Sequence, residues 1–202
     1  MSEHEISEGF LLPDEKVLIA KSREARKRSF AAGRVAARRA LEKMTGCKDV
    51  PILSGQSREP QWPEGIIGSI SHTDGMAVAA VARAPEIRLL GIDIEQSSHI
   101  IDDGMVGLIA SEQEAVWIRK DKEDQNQRAL LLFSAKESVY KGFFPPSQTH
   151  LDFHDVELRW NPERAAFIGR LLREVMLEYP LGFEFQVVAH VVGPYVVTGF
   201  WL

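Results

Sequence analysis

The sequence predicts an α+β fold made of two halves of similar construction. A helical pattern followed by strand patterns occurs twice along the chain, with the change near residue 100. The first half, residues 1–100, holds a long basic helix and then short strands. The second half, residues 101–202, holds two helices and then closing strands. We therefore expect the halves to meet near the last strand of the first.

In the first half, Pro13 begins a helical region that continues to about Met44, with a break near Ser22. Residues 49–65 hold three prolines and two glycines, which predicts a loop with a short strand at most. Three strands are then expected, at residues 66–71, 76–83 and 87–95.

In the second half, residues 102–109 are weakly helical, and Ser111 precedes a helix with an acidic first turn. A longer helix is expected over residues 124–142. The strand patterns that follow lie at residues 153–160, 183–191 and 195–202, and residues 164–172 fit either a strand or a loop.

Composition favours an ordinary water-soluble globular protein. The 202 residues are 45% hydrophobic and 26% charged, with a net charge of −5, which argues against non-specific nucleic-acid binding. A single cysteine, Cys47, excludes an internal disulfide framework. The polar, acidic residues 1–8 do not resemble a signal peptide, and no apolar run is long enough to span a bilayer. We expect a cytoplasmic protein.

The third strand ends in two acidic residues that point the same way. In Gly91–Glu95 the alternation of a strand places Asp93 and Glu95 on one face, where the two carboxylates repel each other and are costly to bury. Oxygen ligands without Cys or paired His favour Mg²⁺ held together with substrate phosphates. The alternative, an exposed strand end with solvated acids, stays open.

Glu137 is the candidate third carboxylate. It lies between Lys136 and Lys141 on a helix that is otherwise largely apolar, and Glu137 and Lys141 share a helix face. Charges on a buried helix need partners. A surface salt bridge is the alternative for this pair.

Basic and hydroxyl side chains in the first half suit an anionic ligand. Ten Lys or Arg stand against two Glu between residues 21 and 48, and Arg26, Arg34 and Arg38 cluster on one helical face. Ser71 and His72 lie at the end of a strand, where a glycine turn begins. A solvated basic face and a turn-stabilising histidine are the alternatives.

Glu114 is a possible catalytic acid or base. Its place in the acidic first turn after Ser111 is, however, a sufficient structural explanation.

Taken together, these segments resemble the 4′-phosphopantetheinyl transferases, in the branch that resembles the enterobactin synthetase component. The resemblance covers about residues 10–157 in family order. The matching stretches are Arg26–Leu41, Pro60–Thr73, Gly91–Glu95 and Phe133–Lys141.

The resemblance implies two similar α+β halves related by a pseudo-twofold axis, with coenzyme A and Mg²⁺ in the cleft between them. It implies that Asp93, Glu95 and Glu137 hold Mg²⁺ on the coenzyme A pyrophosphate. Lys136 and Lys141 are expected to face the pyrophosphate or the carrier protein.

The resemblance also implies residues for the nucleotide. Ser71 and His72 would contact its phosphates, with Arg26 and Arg34 clasping the 3′-phosphate and Arg58 lying near the nucleotide. The implied reaction is Mg²⁺-dependent transfer of the phosphopantetheine arm to a serine of an apo acyl or peptidyl carrier protein, by a monomer.

The implied catalytic residues are Glu137 as first candidate base, Glu114 as second, and Lys141. Two other functions remain possible on the residues alone. One is a Mg²⁺-dependent nuclease or phosphohydrolase, and the other is a module that binds coenzyme A or a carrier without turnover.

Overall fold

The computed structural model describes residues 8–202, so most of the predicted polar, acidic start lies outside the described residues. The chain divides into two compact units, residues 1–90 and 91–202. This division lies ten residues before the predicted boundary at residue 100, because the strand that carries Asp93 and Glu95 belongs to the sheet of the second unit. The predicted division into two similar halves at residue 100 stays a prediction.

Helices and strands are both present in each unit, which confirms the predicted α+β class. The helices are α1 (Pro13–Ile19), α2 (Glu24–Thr45), α3 (Asp103–Ile109), α4 (Glu112–Arg119) and α5 (Gln125–Ser147). The strands are β1 (Leu53–Ser54), β2 (Pro60–Gln61), β3 (Ile66–Thr73), β4 (Met76–Arg83), β5 (Leu90–Gln96), β6 (Val156–Asn161), β7 (Ala166–Leu171), β8 (Glu184–Val192) and β9 (Tyr195–Trp201). Within residues 8–202, no helix combines the length and the apolar character needed to cross a membrane.

In the first unit, α2 packs against the antiparallel hairpin of β3 and β4. The predicted break in the first helical region is present between α1 and α2, and Gly46 ends α2 in a left-handed conformation with φ of 76°. The buried side of α2 contributes Ala37 and Leu41 to a core that also contains Ile52. His72 lies next to the last residue of β3, so the packing of α2 positions this end of the hairpin.

In the second unit, α5 packs on a five-stranded sheet with the strand order β5-β9-β8-β7-β6. The pairings from β6 to β9 are antiparallel. Phe143 of α5 stacks on Phe200 of β9 with ring centroids 5.1 Å apart, and both rings are fully buried. Ser134 and Thr198 add a buried hydrogen bond of 2.9 Å between the same two elements.

The helix α5 continues to Ser147, five residues beyond the predicted end at Gly142. Glycine at this position does not end the helix. It makes room for neighbours, because a Cβ on Gly142 would lie 2.5 Å from the Phe200 ring. A Cβ on Gly91 of β5 would lie 1.8 Å from the backbone oxygen of Ser138. The backbones of β5 and α5 therefore touch, and this contact sets the spacing of the acids on the two elements.

We expect Gly91→Ala to destabilise the protein by about 3 kcal/mol, because backbone atoms rather than flexible side chains occupy the space that a methyl group needs. Urea unfolding measures the change. Gly107→Ala is the matched control, since the same methyl group on α3 has no atom within 4 Å. The control should raise stability by about 0.5–1 kcal/mol through helix propensity. Equal stabilities for Gly91→Ala and wild type would contradict the close approach of β5 and α5.

Candidate active site

The strand β5 presents Asp93 and Glu95 on one face of the sheet. Asp93 is buried, with 2% of its surface exposed, and the Glu95 side chain is 18% exposed. Lys141 of α5 donates a hydrogen bond of 2.5 Å from Nζ to Asp93 Oδ1. The first acid of the strand is thus already paired with a lysine of the facing helix.

Glu137 lies one helical turn before Lys141 and is electrostatically coupled to both acids of β5. Burial raises the pKa of Glu137, Lys141 opposes that shift, and Asp93 and Glu95 raise the pKa further. The pKa of Glu95 is also raised, first by burial, and Asp93 adds to the shift while a hydrogen bond from His99 opposes it. Three carboxyl groups therefore crowd each other in a partly buried place, with Lys141 as a compensating cation.

The donor set suits a hard divalent cation. Carboxylate oxygens are the ligands that Mg²⁺ prefers, and a cation would stabilise the charged carboxylates against burial and against their mutual repulsion. Among residues 8–202, no three His, Cys, Asp or Glu side chains are arranged as a ready-made metal site. The assignment of Asp93, Glu95 and Glu137 as ligands stays a prediction.

The structure places Lys136 and Glu114 in the interior, where their side chains pair with each other. Their side chains are 2% and 1% exposed, and Lys136 Nζ donates to Glu114 Oε2 at 2.7 Å. The same ammonium donates to the carbonyl oxygens of Ile109 and Phe153, both at 2.8 Å, so its three N–H groups are all used. Burial lowers the pKa of Lys136, and Glu114 opposes this shift.

Glu114 is committed to the same internal network. Its Oε1 accepts from the Leu158 backbone and its Oε2 from the Ser111 backbone, each at 2.7 Å. Glu114 and Lys136 therefore connect α4, α5 and β6. Their predicted roles toward substrate stay predictions.

The side chain of Arg34 in the first unit makes its contacts within the protein. Its Nε donates to the Ile52 carbonyl at 2.6 Å and its Nη2 to Ser54 Oγ at 3.0 Å, which fixes the segment of β1. The guanidinium lies over the Phe30 ring at 4.1 Å, and burial lowers the pKa of Arg34 to about 10. Its predicted contact with a phosphate stays a prediction.

The other predicted phosphate contacts also lie in the first unit. His72 and Arg26 are exposed, whereas Ser71 is buried on the opposite face of β3. Arg58 is exposed in a turn with φ of 70°. Alternation along β3 thus makes His72 the more accessible of the two residues at the end of this strand.

Two further histidines lie near the acids. His99 Nδ1 lies 3.0 Å from Glu95 Oε2. His150 packs edge-on against Tyr140, with ring centroids 5.3 Å apart, and both line a cavity of about 110 Å³ together with Glu137. Neither has a metal-ligand spacing in sequence. The only sequence signal for a role of His99 is its place as a polar residue shortly after the acidic strand.

Two family models match the chain. The model described as the 4′-phosphopantetheinyl transferase superfamily matches residues 89–197, which include Asp93, Glu95, Glu114 and Glu137. The model described as the 4′-phosphopantetheinyl transferase N-terminal domain matches residues 14–82.

Curated relatives agree with these matches. The chain is 37% identical over 164 residues to the 4′-phosphopantetheinyl transferase Svp of Streptomyces mobaraensis, covering 80% of this chain and 66% of the relative. It is 32% identical over 167 residues to PptT of Mycobacterium tuberculosis, covering 83% and 73%. It is 37% identical over 146 residues to enterobactin synthase component D of Escherichia coli K12, covering 69% and 65%. The matches thus span about two thirds of the length of these relatives.

Proposed function

Because the chain belongs to the 4′-phosphopantetheinyl transferase superfamily, in the branch of enterobactin synthase component D, we propose that it transfers the phosphopantetheine arm of coenzyme A to a serine of an apo carrier protein. The serine oxygen attacks the β-phosphorus of coenzyme A. The bond between this phosphorus and the oxygen that bridges it to the α-phosphorus breaks. Adenosine 3′,5′-bisphosphate leaves. The observation that carries the proposal is the group formed by Asp93, Glu95, Glu137 and Lys141 inside the matched residues.

Asp93, Glu95 and Glu137 are the residues that would hold Mg²⁺. When bound, the cation would neutralise charge on the phosphates of coenzyme A. The carboxyl groups supply oxygen donors only, and the raised pKa of Glu95 and Glu137 reflects burial and mutual repulsion that a cation would offset. Magnesium dependence is part of the proposal.

Glu137 is the proposed base for the serine proton. Its side chain is only partly buried and lines the cavity that also contains Tyr140 and His150, so a substrate hydroxyl group can approach its carboxylate. Glu114, the second candidate, is buried and holds Lys136, Ser111 and Leu158. This contrast leaves Glu137 as the better base.

Lys141 is the proposed lysine for the coenzyme A phosphates. Its side chain is 26% exposed, against 2% for Lys136, so only Lys141 of the two offers a charge to a ligand. Its bond to Asp93 keeps the ammonium next to the three acids. Phosphoryl transfer asks the protein mainly for positioning and charge neutralisation, which Lys141 supplies.

The first unit is proposed to bind the nucleotide end of coenzyme A. His72 and Arg26 are both exposed, and each can donate a hydrogen bond to a phosphate oxygen. Arg34 supports this unit from inside by holding the residues around Ile52 and Ser54. A basic surface on α2 would also favour an acidic carrier protein. The cleft position of the site, the monomeric state and the cytoplasmic location remain predictions.

The test is to incubate the protein with coenzyme A, Mg²⁺ and an apo carrier protein, and to weigh the carrier by mass spectrometry. A gain of one phosphopantetheine arm, lost when EDTA is present, is the expected result. The control uses a carrier protein whose acceptor serine is replaced by alanine. The mass of this carrier should not increase.

Other outcomes would indicate the other functions. Release of nucleotide while the carrier mass is unchanged would indicate a phosphohydrolase. Binding of coenzyme A with neither product would indicate a binding module. Either outcome would contradict the proposed transfer.

A further inference from the structure

His99 contacts an acid of the candidate metal site through a hydrogen bond. Its Nδ1 lies 3.0 Å from Oε2 of Glu95, and the two side chains are 40% and 18% exposed. An ionised carboxylate can only accept, so a hydrogen bond to ionised Glu95 requires the hydrogen to be on Nδ1. The imidazole therefore orients the Glu95 carboxylate through Oε2, and Oε1 points in a different direction.

The backbone around His99 brings the ring back toward β5. The His99 N–H donates to the Gln96 carbonyl at 2.9 Å, which closes a turn directly after the strand. The Ser97 N–H donates to the Pro194 carbonyl at 2.8 Å, which ties the same turn to the end of the sheet. The turn is thus held on both sides, and the position of the imidazole follows from it.

Asn126, in the first turn of α5, holds the segment that carries His99. Its Nδ2 donates to the His99 carbonyl at 2.9 Å, and its Oδ1 accepts from the Ile101 N–H at 3.0 Å. An amide that donates at one end and accepts at the other has a single orientation. The helix that carries Glu137 therefore also fixes the residue that contacts Glu95.

The hydrogen bond acts against the crowding of the acids. A hydrogen bond donated to a carboxylate oxygen favours the charged form of that carboxylate. A metal ligand must be both charged and correctly aimed. Partners that orient a ligand through its second polar atom commonly contribute about 10- to 100-fold to metal affinity.

We propose that His99 is a positioning residue for Glu95 and that Asn126 in turn holds His99, so that an Asn126–His99–Glu95 chain tunes the affinity of the site for a divalent cation. This inference rests on the proposed function, since it takes Glu95 as a ligand. His99 itself is not proposed to touch the metal or the substrate.

The test measures Mn²⁺ binding, with coenzyme A present and the carrier absent so that no turnover occurs. The loss of the free Mn²⁺ signal in electron paramagnetic resonance gives the Kd. We expect His99→Leu to raise this Kd by about 10-fold or more. His99→Asn places an amide N–H near the position of Nδ1, and its Kd should stay within about threefold of wild type. Asn126→Leu should raise the Kd less than His99→Leu does.

The matched control is His190→Leu, which changes an exposed histidine on β8 and should leave the Kd unchanged. Thermal melting without metal checks that each variant is folded, and alanine at the same position replaces any leucine variant that is not. Equal Kd values for wild type and His99→Leu would overturn the positioning role of His99 and leave the proposed function standing. Equal losses in His99→Asn and His99→Leu would overturn the role of the hydrogen bond. An unchanged Kd in Asn126→Leu would remove Asn126 from the chain.

The proposed function fails in a different way. If wild-type protein binds no Mn²⁺ in the presence of coenzyme A, the metal site itself is refuted, and the inference with it. Wild-type binding that is lost in Asp93→Asn but unaffected by His99→Leu keeps the metal site and refutes only the positioning role.

Discussion

Glu137→Gln is expected to lower the rate of phosphopantetheine transfer by about 10³-fold while leaving the protein folded and more stable at neutral pH. The rate falls because the amide can neither take the serine proton nor supply a charged oxygen, and a positioned general base contributes about 10²–10⁴-fold. The shape of the side chain is kept, so packing around α5 is not disturbed.

The gain in stability follows from the direction of the pKa shift. Burial raises the pKa of Glu137 in the folded protein, so the folded state binds this proton more tightly than the unfolded state does. The ionised carboxylate therefore costs stability at every pH above its folded pKa. The cost decreases as the pH falls through that pKa, and it is absent below the unfolded pKa of about 4.3. Glutamine removes the cost, so the gain in Tm should be largest at neutral pH and should disappear in acid.

Carrier mass spectrometry measures the rate, and melting curves across the pH range measure the stability. Glu123→Gln, at an exposed position, is the control and should change neither quantity. Wild-type transfer by Glu137→Gln would refute the assignment of the base. A Tm gain that persists in acid would contradict the stated cause of the stabilisation.

Lys136→Met is expected to destabilise the protein by about 3–5 kcal/mol, because it leaves the Glu114 carboxylate buried without its cation. The side chains of both residues are almost completely inaccessible, and Lys136 also holds two carbonyl oxygens. Urea unfolding measures the loss through the midpoint. Combining Lys136→Met with Glu114→Gln should be less damaging than the sum of the two single changes, since the unpaired charge is then gone.

The matched control for Lys136→Met is Lys48→Met, which breaks the ion pair with Glu42. In that pair the side chains are 73% and 45% exposed, and the distance is 3.3 Å. Exposed pairs contribute about 0–1 kcal/mol, so the control should change stability little. Similar losses in the two variants would show that the Lys136–Glu114 pair does not hold α4, α5 and β6 together.

Local patterns along the chain were enough to predict most of the elements. The break between α1 and α2, the hairpin of β3 and β4, and the helix capped by Ser111 are present where they were expected. These features depend on capping, turn and alternation signals that act over a few residues. The end of α5 was predicted at Gly142 and lies at Ser147, because that glycine serves the contact with Phe200 rather than a cap.

The two lysines of α5 show what a local pattern does not contain. Lys136 and Lys141 flank Glu137 in the sequence, and both looked equally suited to a phosphate. Five residues correspond to about 140° around a helix, so the two point in different directions. Because α5 is largely apolar on all sides, its pattern does not indicate which direction is interior. Only the packing of α4 and β6 on α5 buries Lys136 and leaves Lys141 partly exposed.

The sequence by itself determined the α+β class, the family and the three acids proposed as ligands, because each depends on residue identity in a short segment. The tertiary structure alone decided which charged groups are internal partners and which remain accessible. It paired Glu114 with Lys136, set Arg34 against Ile52 and brought His99 to Glu95. The partners in these contacts come from different segments, and whether a charge is buried depends on how those segments pack, which no spacing along the chain records.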